Sequence, residues 1–239
     1  MRRFVPVAIA LTIAGTASAT SLAPDVAVNV NPPEAGKGSE LNVDVNSRPQ
    51  KSGSVRGVVV RLVRGFKFNP AAVGTHCRVV EASQTNACPA GSRIGGGEAQ
   101  VVLTPGGQVT APIDLYLAPR QHARDAAGIV AIADVEGRKG HAVGRVQRLD
   151  PDVFETYGLQ IAIDPLQSAF RPPAGGKARI KSLNLLAGAH RTVDGRRRDL
   201  IRNPSCGADD WPWELLRIHQ QGDRSHHYGS IECAPKPTP

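Results

Sequence analysis

The chain has 239 residues, 29 Lys+Arg against 21 Asp+Glu and a formal net charge of +8. Its 25 glycines and 19 prolines interrupt every segment before an apolar pattern at 3.6 spacing reaches helix length, which excludes a substantial helix. A positive balance attracts anionic polymers but says nothing about fold.

In chain order, Arg2 and Arg3 precede an apolar run over 4–15 and the small residues Ala17-Ser18-Ala19. That order of charge, apolar run and small residues is a secretory signal peptide over 1–19, with cleavage after Ala19 and an extracytoplasmic destination. No later apolar run reaches about 18 residues, so the mature form has no predicted membrane span. Thr20 stands where a bacterial lipid anchor needs cysteine. Without Arg2 and Arg3 the basic count is 27 against 21, a charge of +6. Residues 20–24 read as a flexible mature N-terminus, 25–233 as one domain and the Pro-rich 234–239 as a tail.

Strands are predicted where apolar and polar residues alternate, first at 26–30 and 41–45. Further segments follow at 57–64, 98–103, 113–117, 128–135, 141–149, 159–163, 178–186, 214–219 and 228–233. Pro105-Gly106-Gly107 is expected to close one hairpin and Gly137-Arg138-Lys139-Gly140 another. The glycines at 95, 96 and 97 read as a re-entry into a strand through backbone angles other residues avoid. Short strands at this spacing predict an all-β fold, a two-sheet antiparallel sandwich of immunoglobulin-like or jelly-roll-like type.

Cys77, Cys88, Cys206 and Cys233 all follow the leader. An even count in an oxidising compartment reads as two disulfides; three connectivities exist, and the clustering into two distant pairs favours Cys77–Cys88 and Cys206–Cys233. The segments Gly65-Phe66-Lys67-Phe68-Asn69-Pro70, Cys88-Pro89-Ala90-Gly91-Ser92-Arg93-Ile94-Gly95 and Asn203-Pro204-Ser205-Cys206, the last running through Trp211 to Cys233, resemble a recurrent family of exported β-rich proteins from high-GC Gram-positive bacteria. The resemblance spans most of 25–235 and implies an extracellular location, a β-sandwich and local disulfides, and no activity. An excess of Arg over Lys, 22 to 7, agrees with such a genome.

Motifs for chemistry are sparse. No Gly-x-Ser-x-Gly occurs, and Ser92 is followed by Arg93-Ile94. His226-His227 with Asp223, and Asp209-Asp210 nearby, form the densest titratable cluster, but neighbouring strand residues point to opposite faces. No zinc spacing, phosphate loop or dinucleotide fingerprint is present, and no cofactor is predicted. Two features point to binding. Arg196-Arg197-Arg198 forms a compact cationic run, read as a solvated loop or as an anion contact. Trp211 and Trp213 flank Pro212 and project to one face of an extended segment, either stacking on sugar or packing over the Cys206–Cys233 bridge. The sequence thus implies a secreted structural or binding module of the cell envelope or extracellular space, with a cell-wall glycan or an extracellular protein as partner and no specific nucleic acid. The alternatives are a secreted hydrolase acting on envelope polymers and a glycan- or polyanion-binding factor.

Overall fold

The computed structural model describes residues 25–46, 55–172, 176–207 and 210–235. The predicted leader, the stretch 20–24 and residues 236–239 of the tail lie outside the described residues.

Every predicted strand segment forms a strand. β1 (Val26–Asn31), β2 (Gly38–Asn46) and β3 (Val55–Val63) come first, followed by the two-residue β4 (Lys67–Phe68). β5 (Arg93–Thr104), β6 (Gly107–Ala118), β7 (Asp125–Val135), β8 (Arg138–Arg148) and β9 (Tyr157–Ile163) form an uninterrupted antiparallel meander. β10 (Lys177–Ala187) precedes three short strands, β11 (His190–Val193), β12 (Arg196–Asp199) and β13 (Ile201–Arg202). β14 (Trp211–His219) and β15 (Arg224–Ile231) close the chain. Pro105-Gly106 turns β5 into β6 as expected. The second hairpin turns at Glu136-Gly137, slightly earlier than expected, with both residues at positive φ, 52° and 81°, the geometry that a two-residue hairpin demands.

The sandwich expectation is overturned. Pairing runs β3–β9–β8–β7–β6–β5–β10, and Ile180 of β10 pairs back to Val55 of β3, so seven strands close into a barrel. Alternation reports only that each strand has a buried and a wet face, which a barrel and a sandwich share. The remaining long strands branch from the seam: β14 and β15 extend from β3, and β2 and β1 extend from β10.

Aliphatic side chains fill the barrel. Val58, Val60, Leu115, Ile129, Ile161 and Leu185 converge on a void of only about 40 Å³. Phe68 of β4 and Ile201 of β13, paired to each other, add to its lining. The 3-10 turn Leu166–Ala169, with Leu166 and Ala169 fully buried, packs against β3, β7, β8 and β10. A barrel so filled is a scaffold rather than a ligand cup. The glycines in β5 serve it through space rather than angle: none of the three has positive φ, and a Cβ on Gly95 or Gly97 would meet the β10 backbone at Leu186 and Asn184.

Both disulfides join the favoured partners, Cys77–Cys88 and Cys206–Cys233. The first staples a loop carrying α1 (Val79–Thr85), which packs with Ala118, Val130 and Ile132. The second is half-buried against the main core and ties the chain ahead of β14 to the end of β15. No helix among the described residues is long and apolar enough to cross a membrane.

Candidate functional site

Trp211 and Trp213 do share a face of β14, but it is the inner one. Trp211 is 3% exposed and Trp213 6%. The Trp211 ring meets Phe66 edge-on at 5.4 Å, its indole N–H donates to the Ser205 carbonyl at 3.3 Å, and Trp213 lies against Gly229. Of the two alternatives for this pair, sugar stacking is set aside and core packing holds. With few aromatic residues in the chain, the inner face of β14 recruits both indoles.

The arginine run has a different fate. β12 forms a hairpin with β11, and its Arg197 and Arg198 border a groove of about 850 Å³. Arg64 after β3, Lys67 of β4, Arg148 at the end of β8 and Arg202 of β13 line the same groove. Arg196 does not line it. Asp199 is the single carboxylate in the lining and accepts from Arg197 Nε at 2.6 Å. Arg64 donates to the Pro151 and Phe154 carbonyls at 2.6 and 2.7 Å, and Arg202 to the Gly36 carbonyl at 2.8 Å. Lys67, Arg148 and Arg198 are exposed, and their side chains make no ion pair or hydrogen bond among the described residues. Phe66 and Phe68 are buried beneath, so no aromatic platform for bases is offered.

A second polar feature, unforeseen from the sequence, crosses the outside of the barrel. Tyr228, Glu214, Arg61, Gln160, Gln147 and Asp125 stand directly opposite one another on β15, β14, β3, β9, β8 and β7. Arg61 donates to Glu214 at 2.7 Å and to Gln160 at 2.9 Å. Gln160 donates to Gln147 at 3.1 Å, and Gln147 to Asp125 at 3.0 Å. The Arg61 guanidinium also lies over the Phe154 ring, 4.9 Å from its centroid. The second Glu214 oxygen meets His226 Nδ1 at 2.7 Å. Burial pushes the Glu214 carboxyl up, but the hydrogen bonds from His226 and Arg61 outweigh it and hold the group below the usual carboxylate range. With both oxygens engaged, Glu214 anchors its neighbours and is not available as a proton donor. The signal for it was a lone acid inside the apolar stretch of β14, as Arg61 is a cation set inside the aliphatic run 58–63 of β3.

His226 and His227 point to opposite faces, as the strand alternation requires; His227 Nε2 lies 3.3 Å from Ser225 Oγ instead. Ser92 is fully buried, its hydroxyl donating to the Pro89 carbonyl. Among the described residues no group of three or more His, Cys, Asp or Glu is arranged to hold a metal.

The titrating groups predict a two-step loss of stability in acid. Burial, helped by Arg171 and Arg217 respectively, lowers His141 and His227. The unfolded imidazoles therefore bind protons that the folded ones refuse, and stability falls as pH drops below about 6.5. Glu214, depressed when folded, adds a second fall below about pH 4.3, completed as pH passes through its folded value. Urea unfolding from neutrality to pH ~3 reads both steps, and a flat profile contradicts them.

No protein-family model matches the chain, and no curated protein sequence matches it.

Proposed function

We propose that this protein is a non-enzymatic extracytoplasmic binding module that holds an anionic polymer of the cell envelope in the basic groove. The observation that carries the reading is the convergence of six cations on one concavity with a single, already engaged carboxylate. The run Arg197-Arg198, with Arg202 close behind it in the chain, meets cations drawn from two distant segments, Arg64 with Lys67 and Arg148, and the side chains of three of the six have no partner among the described residues. Guanidinium groups suit phosphate and carboxylate oxygens because their donors form a planar fork. Five of the six lie on strands and Arg64 directly follows one, so strand pairing places their backbones before binding. The two disulfides are compatible with an oxidising compartment outside the cytoplasm. The barrel interior is aliphatic, whereas the lumen of an outer-membrane-type barrel is polar, and Arg61, Arg145 and Gln160 lie on the outside among apolar neighbours.

Inorganic polyphosphate, followed by isolated cell-wall material, tests this reading. The triple variant Lys67→Glu/Arg148→Glu/Arg198→Glu alters only exposed, unpartnered cations, so its thermal unfolding is expected to match the wild type. Its polyphosphate affinity is expected to fall at least about tenfold at ~0.1 M salt, with the difference shrinking toward ~1 M salt as the screening length drops from about 10 Å to about 3 Å. Equal affinity of the two proteins at low salt would overturn the assignment.

A further inference from the structure

A second concavity lies on the outer wall, beside the polar row. One step along the strands from that row, Leu216, Val59 and Ala162 stand opposite one another on β14, β3 and β9, and Ile218 joins them. These four form a buried apolar cluster of their own, separate from the barrel core. They floor a trough of about 580 Å³. Arg61 and Gln160 form one bank, and His141 and Ser168 lie on the other. Gln121 and His122 of the β6–β7 connection lean in at the β8 end.

The electrostatics of the trough are one-sided. Arg145 sits at the β8 end, opposite Ala162, and Arg224 at the β15 end, opposite Ile218. Both are exposed, and neither side chain makes an ion pair or hydrogen bond among the described residues. Asp164, the single carboxylate in the lining, is gripped by Arg56 through hydrogen bonds of 2.9 and 3.2 Å. Four interstrand spacings separate β8 from β15, so the two free cations stand about 19 Å apart across the sheet.

We propose that this trough is a second ligand site, for an acidic saccharide. An aliphatic floor on a β-sheet accepts the C–H faces of sugar rings, and the side-chain amide of Gln121 offers both a donor and an acceptor to hydroxyls, while Gln160 is held in the bank by Arg61 and Gln147. The sugar carboxylates meet Arg145 and Arg224 at the two ends. The floor of four side chains is too small, and its banks too polar, for an acyl chain. This site is independent of the basic groove, since no cation of that groove lines it.

The test uses a uronic-acid oligosaccharide, tetragalacturonate, titrated into the full mature protein by calorimetry and by amide chemical-shift mapping. Shifts are expected on β3, β9 and β14. The double variant Arg145→Glu/Arg224→Glu is expected to weaken binding at least about tenfold while leaving polyphosphate affinity within about twofold. The triple groove variant is expected to do the reverse. The methyl-esterified tetrasaccharide is expected to bind as weakly to the wild type as the charged form does to the double variant. Three results would overturn the proposal: no shifts in that face at millimolar tetragalacturonate, a loss below about threefold in the double variant with the fold intact by thermal unfolding, or equal affinity for tetraglutamate, which would make the trough a peptide site. If polyphosphate binding fails while tetragalacturonate binding holds, the groove reading alone is lost.

Discussion

Trp211→Ala is expected to cost about 3–5 kcal/mol of folding stability. The indole is 3% exposed, packs edge-on against Phe66 at 5.4 Å and donates a hydrogen bond to the Ser205 carbonyl. An aromatic pair of this geometry adds about 0.5–1.5 kcal/mol beyond the area it buries. Alanine would leave a cavity beside the half-buried Cys206–Cys233 bridge, which ties both ends of this region and limits how far it can collapse to fill the space. Urea unfolding is expected to show a lower midpoint at an unchanged slope. Variant that remains folded at low temperature is expected to keep the wild-type polyphosphate affinity, because the indole does not line the basic groove. A cost below about 1 kcal/mol would mean that the ring is not packed in solution, and would return it to the list of sugar contacts.

Glu214→Ala is expected to cost a similar amount, about 3–5 kcal/mol, for an electrostatic reason. Removing the carboxylate strands the Arg61 guanidinium, whose side chain is only 19% exposed, without its counter-charge. His226 loses its acceptor at the same time. Glu214→Gln retains an acceptor for Arg61 and is expected to cost less, about 1–2 kcal/mol, while abolishing the stability step below pH ~4.3 that the ionised carboxylate produces. The double variant Arg61→Met/Glu214→Leu is expected to recover much of the single-variant loss, since an apolar pair of similar volume replaces a buried ion pair at little cost. If Glu214→Ala and the double variant are equally destabilised, packing rather than charge pairing governs the site.

The two residues differ in how legible they were. For the tryptophans, the spacing around Pro212 identifies a shared face, and the structure bears that out. It does not say which face, because an extended segment presents the same pattern to core or solvent. For Glu214 and Arg61 even the partnership was hidden, since they lie 153 positions apart and meet only where β14 pairs with β3. The basic groove stands between these cases. Arg197 and Arg198 are evident as a run, yet Arg64, Lys67, Arg148 and Arg202 are isolated cations until the strand ends converge.

The sequence by itself determined the local matters: which segments become the longer strands, roughly where the two main hairpins turn, and which of the three cysteine pairings to favour. Each depends on side-chain alternation or on contacts between residues near one another in the chain. The strands β4, β11, β12 and β13 were not legible, because two to four residues are too few to display a period. Tertiary structure alone decided that the sheet closes. The bridge between Val55 and Ile180 depends on the accumulated twist and register of seven strands, a property no single strand carries. That closure also selects the candidate sites: it plugs the interior with aliphatic side chains and moves the polar chemistry to the strand ends and the outer wall.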